Sequence, residues 1–67
     1  MRAFYTDSNG HTADLCNYLY MDTTRLTVRD RSGSVIFSKE FSNWSSAKDA
    51  LRMHGADWTN DLTNEQI

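Results

Sequence analysis

Apolar and β-branched positions come in short bursts over the first 42 residues and then change period. The bursts are residues 2–7, 12–21, 24–31 and 34–41, each rich in Phe, Tyr, Val, Ile or Thr. Between them lie turn signals: Asp7-Ser8-Asn9-Gly10, Asp22-Thr23-Thr24 and Arg31-Ser32-Gly33-Ser34. Asn-Gly tolerates positive φ at both central positions of a tight hairpin, so the pattern predicts strands joined by short turns. Consecutive strands with short connections pair as neighbours, which makes the expected sheet an antiparallel four-strand meander. The second burst, through Ala13-Asp-Leu-Cys-Asn-Tyr-Leu-Tyr-Met21, also admits a helical drawing. After Phe41, Trp44, Ala47, Leu51 and His54 recur at helical spacing beside Ala50, with Lys48, Asp49 and Arg52 opposite. Ser42, Asn43 or Ser45 can cap a helix over 45–54, and Gly55 fits the C′ position after it. The expected fold is therefore α+β, a ββββα domain over residues 1–56. Residues 57–67 follow as an acidic tail in which Trp58 and Leu62 suggest a short helical turn.

Two-residue loops at Asn9-Gly10, Asp22-Thr23 and Ser32-Gly33 predict the register and hence the faces. The helix-covered face would carry Phe4, Leu15, Leu19, Leu26, Val28 and Phe37, with Val35, Met21 and Phe41 around them. The opposite face would carry Ala3, Tyr5, Asp14, Cys16, Tyr18, Tyr20, Arg25, Thr27, Arg29, Arg31 and Ile36. The arginines come from Arg25-Leu-Thr-Val-Arg-Asp-Arg31, where alternate side chains share a side. Arg25 is expected opposite Glu40 and Arg31 opposite Asp14, leaving Arg29 without a carboxylate.

Composition then narrows the functional classes. The chain has 67 residues, a formal net charge of −2 and a single cysteine, Cys16. It is too short for a large core, and an internal disulfide is excluded, so a homodimer is the expected means of support. A lone cysteine suits a reducing, cytoplasmic setting, and no apolar run predicts a membrane span or a signal peptide. Charge is uneven. Residues 1–42 hold five Lys/Arg and five Asp/Glu, whereas 43–67 hold two and four. No metal-ligand spacing and no glycine-rich phosphate loop occur, so neither metal nor cofactor is expected.

Tyrosines offer flat rings for unpaired bases and arginines meet phosphates bidentately, so the expected site is Tyr18, Tyr20, Arg25, Arg29 and Arg31, with a nucleic-acid single strand as ligand. Four strands followed by one helix, carrying these residues, resembles the PC4-like single-stranded-DNA-binding fold in order of elements. That resemblance implies a dimer presenting basic and aromatic sheet residues to a single strand. The alternative partner is a host protein. Size and acidity are similar to those of small phage or mobile-element proteins that block host nucleic-acid enzymes, as anti-CRISPR proteins do. Asp57, Trp58, Asp61, Leu62 and Glu65 would then form the contact. A remote enzymatic reading places metal-assisted DNA nicking at Asp14.

Overall fold

A computed structural model of the chain describes residues 2–17, 23–55 and 57–64. The order of elements is β1 (Arg2–Thr6), β2 (Thr12–Asn17), β3 (Thr24–Arg29), β4 (Val35–Phe41), α1 (Trp44–His54) and β5 (Thr59–Asn64). β1 to β4 form the expected antiparallel meander and α1 packs on one of its faces, so the α+β class stands. The tail departs from expectation. Residues 59–64 are not a helical turn but a fifth strand, antiparallel to β1, and the sheet order becomes β4-β3-β2-β1-β5. In the sheet, backbone groups of 59–64 pair with β1, which a single closing turn of helix could not match.

The first hairpin corrects the predicted faces. Gly10 N donates to the Asp7 carbonyl (3.3 Å), Asp7 N donates to the His11 carbonyl (3.1 Å), and Gly10 has φ +84°. This is a three-residue loop, a type I turn closed by a left-handed glycine, rather than a two-residue turn. The extra residue slips β1 by one place, so Ala3 pairs with Leu15 and Phe4 with Asp14. A slip of one exchanges the faces of a strand. Ala3 and Tyr5 therefore lie in the core, and Phe4 lies on the other side, half-buried.

The second hairpin keeps its parity but moves along the strand. Leu15, not Leu19, is opposite Leu26, and Asn17 opposite Thr24 is the last described pair. The expected rows Cys16–Arg29 and Asp14–Arg31 are accordingly replaced by Cys16–Arg25 and Asp14–Thr27. Leu19 and Met21, assigned to the core by pattern, lie outside the described residues.

The third hairpin repeats the first. Gly33 has φ +93°, its N–H donates to the Asp30 carbonyl (3.0 Å), and Asp30 N donates to the Ser34 carbonyl (2.9 Å). Here a β-bulge cancels the slip: Val35 faces Arg29 while Phe37 faces Val28, leaving Ile36 as the extra residue. Beyond it the expected pairs Val28–Phe37, Thr27–Ser38 and Arg25–Glu40 are all present.

The core consists of Ala3, Tyr5, Ala13, Leu15, Leu26 and Val28 from the sheet and Ala47 and Leu51 from α1, with Phe37, Phe41, Trp44, Ala50 and Trp58 packed around it. α1 lies over β2, β3 and β4, with the small side chain of Ala47 buried against the sheet. Asn43 caps α1, its side-chain oxygen accepting from Ser46 N at 2.8 Å. The other end is closed differently from the expected left-handed glycine, because Gly55 is extended (φ 177°). Trp58 folds back instead, and its Nε1 donates to the Leu51 carbonyl at 2.9 Å. A Cβ on Gly55 would stand 3.0 Å from that nitrogen, so the absence of a side chain is what admits the indole. Among the described residues no helix is long and apolar enough to cross a membrane.

Candidate nucleic-acid interface

The face opposite α1 is built from alternate residues of β1 to β4. Its rows read Arg2–Cys16–Arg25–Glu40, then Phe4–Asp14–Thr27–Ser38, then Thr6–Thr12–Arg29–Val35. Three of its side chains are arginines, each on a different row or strand: Arg2, Arg25 and Arg29.

Two of them meet carboxylates across the strands. Arg25 donates to Glu40 Oε1 at 2.7 Å, the predicted pair, and also to Ser38 Oγ at 3.0 Å. Asp14 accepts from Arg2 Nη2 at 3.2 Å and Nε at 3.4 Å, so its partner is Arg2 and not Arg31. The one-residue slip of β1 is what brings Arg2 to this face. Both pairs are substantially exposed, so each contributes on the order of 0–1 kcal/mol and can be exchanged for another anion at little cost. Arg29 donates through Nη1 to the Gly33 carbonyl at 3.2 Å, within its own hairpin, and among the described residues it forms no ion pair. Val35 is the neighbour opposite Arg29 on β4. Counting Arg2, Arg25 and Arg29 against Asp14 and Glu40, this face carries one net positive charge on a chain whose total is −2.

Arg31 is not part of this face. It lies in the β3–β4 loop, where its side chain crosses Gly10 of the β1–β2 loop. A Cβ on Gly10 would stand 2.9 Å from Arg31 Nε. Tyr18 and Tyr20 lie outside the described residues. Tyr5, expected here, is in the core at 8% exposure. The aromatic the structure does place on this face is Phe4, which the pattern had assigned to the opposite side.

The two loops beside the Arg29 end share one construction. Asp7 accepts from the backbone N–H groups of Asn9 (3.0 Å) and His11 (2.8 Å) and contacts His11 Nδ1 at 3.0 Å, with its own side chain only 3% exposed. Asp30 accepts from the Ser32 hydroxyl (2.6 Å) and from Ser32 N and Ser34 N. Those bonds, the Ser32 hydroxyl foremost, hold the Asp30 carboxyl below the usual aspartate value. Asp57 joins the same end by accepting from Ser8 N at 3.2 Å. Its carboxyl is likewise held low, chiefly by the Ser8 side chain.

The residues of the alternative, tail-centred site are therefore divided. Asp57 and Trp58 are engaged within the chain, Asp57 with Ser8 and Trp58 with Leu51. Leu62 stands opposite Phe4 in β5, Asp61 is the extra residue of the β1–β5 bulge, and Glu65 lies outside the described residues. Among the described residues no three His, Cys, Asp or Glu side chains cluster to hold a metal ion, and Asp14 stands with Arg2 instead. No protein-family model, curated protein or solved structure matches the chain.

Proposed function

We propose that the chain is a small nucleic-acid-binding module that takes single strands on the sheet face opposite α1. The observation that carries this reading is Arg29, exposed and, among the described residues, held only by a loop carbonyl, in line with Arg25 two residues of the same side away on β3. Side chains four residues apart on a strand stand about 13 Å apart, which suits successive contacts along one backbone. Phe4 supplies a ring beside them, and the surrounding Thr6, Thr12, Thr27 and Ser38 are hydroxyl donors for phosphate oxygens. Among the described residues this face is made of paired strands alone, with no helix or ribbon that would enter a major groove, so unpaired bases are the better fit than duplex. The order of elements, ββββα before the added β5, supports the likeness to the PC4-like fold.

Affinity is expected to be modest, because few phosphates are neutralised and the chain as a whole is acidic. It should fall with salt along a shallow slope. The test is a fluorescence titration of a labelled single strand and the matching duplex at low and moderate salt, with Arg29→Ala beside the parent. Preference for the single strand, lost in Arg29→Ala, is the expected result. Equal or absent binding of both forms would overturn the reading and turn attention to a protein partner.

A further inference from the structure

Among the described residues the sheet ends on β4, which has β3 on one side and no strand on the other. At seven residues it is the longest strand among the described residues, and its residues are mostly exposed, Val35 at 50% and Ile36 at 53%. Such an edge offers a row of unpaired backbone groups to another chain. Natural edges are guarded by charge, and β4 carries Lys39 and Glu40. Both guards are engaged inside the chain: Glu40 is held by Arg25 at 2.7 Å, and Lys39 Nζ lies 5.3 Å from the centre of the Phe41 ring. Neither charge stands alone at the edge to be desolvated.

We propose that β4 pairs antiparallel with β4 of a second copy, joining two sheets into one of ten strands. A two-fold axis normal to the sheet keeps each side chain on its own face, so directly opposed residues must have the same parity. With the axis through Ser38, the whole strand Val35–Phe41 pairs with itself. Ser38 meets Ser38, Ile36 meets Glu40, and Phe37 meets Lys39, so no like charges face each other. Shifting the axis toward Phe41 by one residue opposes Lys39 to Lys39, and by two opposes Glu40 to Glu40, while shifting it the other way centres the ladder on the bulge at Ile36. The bulge at Ile36 bends the outer part of the strand, so the ladder is strongest around Ser38.

One strand pair buries less than the ~1,200 Å² at which stable interfaces begin, so the dimer should form at tens to hundreds of micromolar. The pairing is independent of what the outer face binds, and its test reads mass, not ligand. In a Cys16→Ser background, Ser38→Cys places two thiols directly across the axis, where opposed Cα atoms lie about 4.5–5.5 Å apart and a disulfide can close. Ile36→Cys places its two thiols four residues apart along the strands, about 13 Å, and they should not join. Under mild oxidation Ser38→Cys should run at twice 7.7 kDa and Ile36→Cys at 7.7 kDa. The parent should show the same doubling on sedimentation at high concentration. Circular dichroism identical to the parent checks that both variants fold. Cross-linking of both variants alike, or of neither, or a parent that stays monomeric throughout, would overturn the proposal.

Discussion

Exchanging two neighbouring aromatics tests whether the first hairpin has a three-residue loop, because that loop decides which of them is in the core. Tyr5 is 8% exposed and belongs to the core cluster with Leu15, Leu26 and Leu51, whereas Phe4 is on the opposite side and only half-buried. Truncating a buried aromatic to alanine costs about 3–5 kcal/mol, from lost burial and from the cavity left. For 67 residues, a stability near 0.05–0.15 kcal/mol per residue totals only about 3–10 kcal/mol. Tyr5→Ala should therefore remove a third or more of it and can leave the chain unfolded at 37 °C. Phe4→Ala gives up part of one exposed ring, about 1 kcal/mol, equivalent to some 4–8 °C in Tm. Urea titration followed by Trp fluorescence gives both values, and Tyr5→Leu provides a folded variant should Tyr5→Ala prove too unstable. A larger loss in Phe4→Ala than in Tyr5→Ala would refute the register and restore the two-residue turn.

The two turn glycines should respond unequally to alanine. At Gly33 (φ +93°) nothing lies near a new Cβ, so only the left-handed backbone cost of about 1–2 kcal/mol applies. At Gly10 (φ +84°) the Cβ must also displace Arg31, so chemical denaturation should show Gly10→Ala to be the more damaging. Gly55→Ala meets no backbone strain but pushes on Trp58, and a red shift of Trp emission with a lower Tm is the expected readout. The carboxyls of Asp30 and Asp57 titrate lower folded than unfolded. Their contribution is therefore complete above the ordinary aspartate pKa and is lost as pH falls through the lower folded values. An acid titration of stability should be less steep in Asp57→Asn than in the parent.

Most of the element plan was legible because periodicity and turn residues report local chemistry. The helix was marked by Trp44, Ala47 and Leu51 and capped by Asn43, and the β3–β4 pairing by the parity of Leu26, Val28 and Phe37. What failed was loop length. Asn9-Gly10 reads as a two-residue turn on its own, but Asp7 three places before Gly10 is the signature of a type I turn closed by glycine. Asp30 precedes Gly33 by the same interval, and the two loops fold alike. That error exchanged faces only in β1, since the Ile36 bulge, which no residue type announces, restored the expected register in β4, while the second hairpin moved along its strand without changing face. Arg2 and Phe4 were missed as outer-face residues for that single reason. The tail read as helical because Trp58 and Leu62 are spaced four apart. Pairing of 59–64 with β1 is a long-range contact that local spacing does not encode.

The claim most open to direct trial is that the outer face, and not overall charge, receives the single strand. Glu40→Gln releases Arg25 from its 2.7 Å partner, while Asp49→Asn makes the same change in net charge on α1, where Asp49 pairs with Arg52. An exposed pair is worth about 0–1 kcal/mol, so removing Glu40 should tighten single-strand binding by up to roughly fivefold. The measurement is the Kd of each variant for one labelled single strand at low salt. Tighter binding in Glu40→Gln with Asp49→Asn unchanged from the parent is the predicted result; equal effects in the two, or none in Glu40→Gln, would contradict it.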